Sequence, residues 1–127
     1  MTDEIIPVLT YRDIAKAQAF LVKAFGMREG VLARDGEGNV VHGEVHHGNQ
    51  VIWLHRVAPE HGMHAASPAN ESAGLVVYVS DVDAHFERAK AAGAKILSQP
   101  VDQDYGHREY GARDLDGHQW WFATRKA

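Results

Sequence analysis

The 127-residue chain contains no cysteine, which removes disulfide staples, thiolate nucleophiles and zinc-thiolate sites together. It has no apolar run approaching the roughly 18 residues that a membrane-spanning helix requires. Its opening residues, Met1-Thr2-Asp3-Glu4, are acidic where a secretory signal is basic. A cytoplasmic protein without a membrane partner is expected. Proline is scarce, four residues against twelve glycines, and apolar residues run along the whole length, so a packed core is expected rather than disorder. Basic excess is lacking too: 13 Lys and Arg against 17 Asp and Glu give a formal charge of −4, which argues against nucleic acid as a partner. There is no glycine-rich phosphate loop and no Gly-x-Ser-x-Gly elbow, and Ser67, Ser72, Ser80 and Ser98 have no nucleophile context. Nucleotide-binding and hydrolase chemistry are therefore set aside.

What is present is an internal repeat at an offset of 68 residues. In the first copy the apolar run Ile5 to Tyr11 leads to Asp13, and Ile14, Ala17, Leu21 and Ala24 follow at helical spacing before Gly26. That order is strand, N-cap, helix, C-cap. In the second copy Gly74 to Val79 leads to Ser80-Asp81, and Val82, Phe86 and Ala89 recur at helical spacing before Gly93, with Ser80 and Asp83 resembling a capping box. After each helix come strands and turns: Val40 to His47, Gly48-Asn49 and Gln50 to His55 in one half; Tyr105 to Arg113, Asp114 to Gly117 and His118 to Thr124 in the other. Each half reads strand, helix, then about three strands, an α+β class. We expect one domain over residues 1–127, with modules at about 1–58 and 74–127 joined by a connector at 59–73. A half of this size buries too little surface to stand alone, so the halves should pack on each other or on a second chain, and a homodimer is expected.

With Gly48-Asn49 as a two-residue loop, His47 pairs with Gln50, Glu44 with Trp53 and His42 with His55. Parity then puts His42, Glu44, His46 and His55 on the face of Trp53, a credible metal or acid/base set. Trp120 points opposite to Trp121 and is expected in the core beneath a helix. Arg108 has the geometry to clamp a carboxylate or phosphonate, or to form a structural ion pair with Glu109 or Asp114. His61, Met63 and His64 are expected in a solvated connector, and His85 with Glu87-Arg88 on the exposed face of the second helix. Asp114-x-Asp116-Gly117 fits a turn better than a calcium loop, because the further acidic ligands are missing.

The runs Ile6-Pro7-Val8-Leu9-Thr10-Tyr11-Arg12-Asp13, Ala24-Phe25-Gly26, His42-Gly43-Glu44-Val45, Tyr78-Val79-Ser80-Asp81-Val82-Asp83 and Tyr105 to Gly111 through Asp114 to His118 carry a resemblance. They are similar to the vicinal oxygen chelate superfamily, which includes glyoxalase I, extradiol dioxygenases and bleomycin-resistance proteins, and most of all to its PhnB-like branch. The resemblance implies two tandem βαβββ modules whose curved mixed sheets enclose a ligand cavity, often in a dimer. It also implies metal ligands on the first and last strands of each module, positions held in this sequence by Ile6, Trp53, Gly74 and Trp121. None of these four offers an oxygen or imidazole donor, so the usual metal site is expected to be absent, and no cofactor is implied.

The expected function is metal-independent capture of a small, partly aromatic molecule, an antibiotic being one form. Trp53 and Trp121 would stack on it, with Glu44 and Arg108 as polar anchors, His42 and His55 beside them, and Tyr105 and Tyr110 closing the rim. Two alternatives stay open. One is a glyoxalase- or dioxygenase-type enzyme with a metal displaced to His42, Glu44 and His55. The other is a metal-free lyase or isomerase with Glu44 as base.

Overall fold

The computed structural model describes residues 3–67 and 73–126. Helix α1 (Ile14–Phe25) begins where the Asp13 carboxylate accepts from the Lys16 amide, and it ends at Gly26, whose φ of 71° is one that a residue without a Cβ adopts freely. Its buried face is Ile14, Ala17, Leu21 and Ala24, as the spacing predicts, extended by Phe25 and by one polar residue. That residue is Gln18, whose amide donates to the carbonyls of Gly30 and Glu44 and so ties the helix to two strands. Helix α2 (Val82–Ala91) buries Val82, Phe86 and Ala89. Its cap differs from the expected Ser80/Asp83 box: Asp81 caps by accepting from the Ala84 amide, and Asp83 is engaged with Arg108 instead.

Each helix is preceded by one strand and followed by three. The first module holds β1 (Val8–Tyr11), β2 (Arg28–Arg34), β3 (Val40–His47) and β4 (Gln50–Arg56) in the order β1-β4-β3-β2. The second holds β5 (Leu75–Tyr78), β6 (Lys95–Asp102), β7 (His107–Arg113) and β8 (Gln119–Arg125) in the order β5-β8-β7-β6. The first strand of each pairs parallel with the last, and the remaining pairs are antiparallel. These are two four-stranded mixed sheets built from tandem βαβββ units. The tight loop at Gly48-Asn49 sets the β3–β4 register at His47 with Gln50, Glu44 with Trp53 and His42 with His55.

The helix-bearing sides of both sheets share one core. Phe25, at the end of α1, packs its ring 5.4 Å from Trp120 and 4.7 Å from Phe122 of the other module, and Trp120 is fully buried. Arg88 of α2 donates to the carbonyls of Val22 and Lys23, supplying a cation where the last turn of α1 exposes its unpaired acceptors. His85, expected on an exposed helix face, lies instead at the joint: Nε2–H donates to the Phe25 carbonyl at 2.8 Å, and Nδ1 accepts from the Tyr110 hydroxyl at 2.6 Å. A ring held this way is neutral.

A second joint lies at the β7–β8 turn. The buried Asp114 carboxylate accepts from the Tyr11 hydroxyl at 2.5 Å, Trp120 Nε1 at 3.0 Å and the backbone amides of Asp116 and His118. Beside it Asp116 accepts from the Arg12 amide, and His118 Nε2 donates to the Thr10 carbonyl. The Asp-x-Asp-Gly sequence is therefore a turn that fastens β1 to the other module. Burial, reinforced by the charge of Asp114, raises the Tyr11 phenol well above its ordinary range, so it remains a donor.

Two outcomes follow from these joints. Asp114→Ala leaves the Tyr11 hydroxyl and the Trp120 N–H unpaired in the core, and urea denaturation should show a loss of about 3 kcal/mol. The His85 imidazole is held below its ordinary value of 6.5, chiefly by burial, opposed by the Phe25 carbonyl and assisted by the charges of Arg88 and His47. The unfolded chain takes up this proton first, so stability is full above 6.5 and declines as pH falls toward the depressed native value. The decline should be shallower in His85→Gln when both proteins are melted across that range.

Candidate functional site

Each sheet has one face on the shared core and one face that no helix among the described residues covers. On the first, strand alternation brings His42, Glu44, Trp53 and His55 to the open side, opposite the buried Val45 and Leu54. Trp53 is 39% exposed, and its indole meets the His42 ring edge-on with centroids 5.2 Å apart. His42 Nε2 lies 2.7 Å from Glu44 Oε2. His55 shares the face but turns Nδ1 to the Arg56 carbonyl at 2.6 Å.

On the second sheet the open side carries Trp121, with Gly111 opposite it on β7 and Gly74 before β5. Both glycines make room for the indole. A Cβ at Gly74 would collide with the six-membered ring of Trp121, and one at Gly111 would stand 3.4 Å from its Nε1. Tyr78, Tyr105, His107 and Glu109 share this face and are linked by hydrogen bonds.

Arg108 and Tyr110 are corrections. They alternate with His107 and Glu109 along β7 and therefore point to the helix side. Tyr110 is fully buried against Phe122 and Phe86 with its hydroxyl on His85, so it forms no rim, and burial raises its phenol far above the ordinary range. Arg108 is held by Asp83 at 3.0 Å and Asp102 at 3.3 Å rather than by Glu109 or Asp114. Tyr105 is 64% exposed at the edge of the open face, and its phenol is pushed up to about 12 by its hydrogen bond to Glu109.

The concave spaces of the chain lie elsewhere. A cavity of about 640 Å³ runs between β1 and β5, bounded by Thr10, His64, Gly74 and His118. A wider groove of about 1100 Å³ is bounded by His47, Gln50, Val76, Tyr78 and Arg125. Neither of these two spaces is lined by Trp53 or Trp121.

Residues 5–122 match the model of the Glyoxalase/Bleomycin resistance protein/Dioxygenase superfamily. The chain belongs to this superfamily. The Mycobacterium bovis protein Mb0911c is 30% identical over 118 residues, covering 90% of this chain and 78% of its own length. TioX from Micromonospora sp. ML1 is 30% identical with a TM-score of 0.75, covering 98% of this chain and all of that one. A glyoxalase-related enzyme from Clostridium phytofermentans shares the fold at 21% identity and a TM-score of 0.72, over 99% of this chain and 97% of its own. No helix among the described residues is long and apolar enough to cross a membrane.

Many enzymes of the superfamily use a divalent metal, and the residues of this chain do not fit one at the usual place. Trp53 and Trp121 bring indoles, Ile6 and Gly74 bring no donor, and the Trp121 ring fills the space beside Gly74. The displaced set fits no better, because His55 Nδ1 is engaged with the Arg56 carbonyl. Among the described residues no group of three or more His, Asp or Glu side chains is placed to hold a metal ion. Equilibrium dialysis of tag-free protein against Ni²⁺ or Zn²⁺ should accordingly leave well below one equivalent bound, with no change in Glu44→Gln; stoichiometric uptake lost in that variant would restore the displaced site.

Proposed function

We propose that the chain binds a small planar molecule on the indoles of its open sheet faces without a metal, capturing it rather than transforming it. The observation that carries this is Trp53, a large aromatic left 39% exposed on an uncovered sheet face beside a His42–Glu44 pair. Such a surface offers a stacking wall with a carboxylate within reach of a ligand amine or hydroxyl. Trp121, on its glycine bed, is the corresponding wall of the other sheet, with Tyr105 at its edge. An aromatic antibiotic fits this chemistry.

Residues 1–127 are read as one domain, and the two walls come together through a second copy of the chain. The shared core occupies the inner side of both sheets, no helix among the described residues lies over either open face, and a homodimer that sets the first module of one copy over the second module of the other would enclose a ligand between indoles. A cytoplasmic setting suits such a binder. A second reading rests on the 2.7 Å contact between His42 and Glu44: a metal-free lyase or isomerase with Glu44 as base.

Quenching of tryptophan emission by a panel of planar aromatic compounds tests capture. Trp53→Ala and Trp121→Ala should each weaken a quenching ligand by about tenfold or more, from lost stacking and lost apolar contact. Unchanged affinity in both variants would remove the stacking argument. Sedimentation should find a dimer, and a ligand consumed over time in a Glu44-dependent way would move the conclusion to the enzyme.

A further inference from the structure

The open face of the second sheet also holds an arrangement that capture does not require. His107 Nε2 abuts Glu109 Oε1, an acceptor, so this nitrogen carries the ring proton. Its Nδ1 lies 2.9 Å from the Tyr78 hydroxyl, and with the ring in its neutral form this nitrogen is the acceptor of that hydrogen bond. The His107 and Glu109 side chains are only 10% and 15% exposed, whereas Tyr78 is 36% exposed and lines the 1100 Å³ groove. The buried end of the relay is thus fixed, and its phenol end is open. Arg125 lies with its guanidinium 3.7 Å from the Tyr78 ring centroid, borders the same groove and has no carboxylate partner among the described residues.

We propose that Tyr78, His107 and Glu109 form a nucleophile, base and orienting carboxylate, with Arg125 as anion anchor, and that this site takes small activated acyl compounds bearing one carboxylate. A nucleophile on a base that is itself oriented by a third group is the general arrangement for covalent catalysis. As the Tyr78 oxygen bonds to the acyl carbon, its proton passes to His107 Nδ1. The leaving group departs with its bonding electrons and takes that proton back, so the imidazole returns to its neutral form. Asp3 and Glu4 also line the groove, which restricts it to ligands of low negative charge. Tyr105 provides the contrast within the same cluster. Its hydroxyl lies directly on Glu109 at 2.5 Å, a contact that holds the proton on the phenol rather than removing it.

The site stands on residues separate from the indole walls and is tested with 4-(fluorosulfonyl)benzoate, which forms a sulfur–oxygen bond to an activated tyrosine and releases fluoride. Peptide mapping should find the adduct on Tyr78 in preference to the more exposed Tyr105. His107→Gln should slow Tyr78 labelling about 100-fold, the low end of what a positioned base supplies, while Tyr105 serves as internal standard. Glu109→Gln should invert the ratio, because it unanchors the imidazole and frees the Tyr105 phenol. Arg125→Met should abolish the preference for this probe over benzenesulfonyl fluoride. Equal labelling of both tyrosines, or a Tyr78 rate unaffected by His107→Gln, overturns the proposal. The labelling ratio is read with no quenching ligand present and the quenching titration with no sulfonyl fluoride, so failure of the capture reading and failure of this one give different results.

Discussion

The carboxylate of Asp114 is the point on which the arrangement of the molecule turns. A buried anion is tolerated only when its lone pairs are occupied, and Tyr11, Trp120 and two backbone amides occupy them. One of those donors belongs to the first module and the rest to the second. Satisfying the charge therefore fixes β1 against the β7–β8 turn, which brings the end of α1 onto Trp120 and Phe122 and sets the two helices against each other. Once the helix sides share a core, both open faces point away from it.

That orientation decides where chemistry can occur. The inner faces are filled with aromatic rings and neutral, fully paired groups such as His85 and Tyr110. The outer faces collect the exposed indole, the His42–Glu44 pair and the Tyr78–His107–Glu109 cluster. The positions that the resemblance assigns to metal ligands carry Ile6, Trp53, Gly74 and Trp121, and the acid/base groups lie beside those positions rather than on them.

Much of this was legible in the chain. Helix faces, the Asp13 and Gly26 caps and the β3–β4 register all follow from local rules; alternation set Trp120 opposite Trp121, and the family resemblance put Trp53 and Trp121 outward. The same alternation excludes Arg108 and Tyr110 from any rim that His107 and Glu109 share, since neighbours on a strand face opposite ways. His85 was not legible, because a polar residue on a helix that also carries Asp83, Glu87 and Arg88 reads as solvated until a second helix arrives from 60 residues away. Nor was the Tyr78 cluster, whose members come from β5, β7 and the loop before it and meet only through the parallel pairing of β5 with β8. Local pattern specifies elements and faces; which faces meet is decided by long-range closure.

The glycine bed beneath Trp121 couples two positions that lie 47 residues apart in the chain. No side chain fits at position 74 while the indole is in place, because even its first carbon would strike the ring. Shrinking Trp121 alone would leave an apolar gap beside Gly74. The two positions therefore tolerate change together rather than singly, as neighbours in contact do.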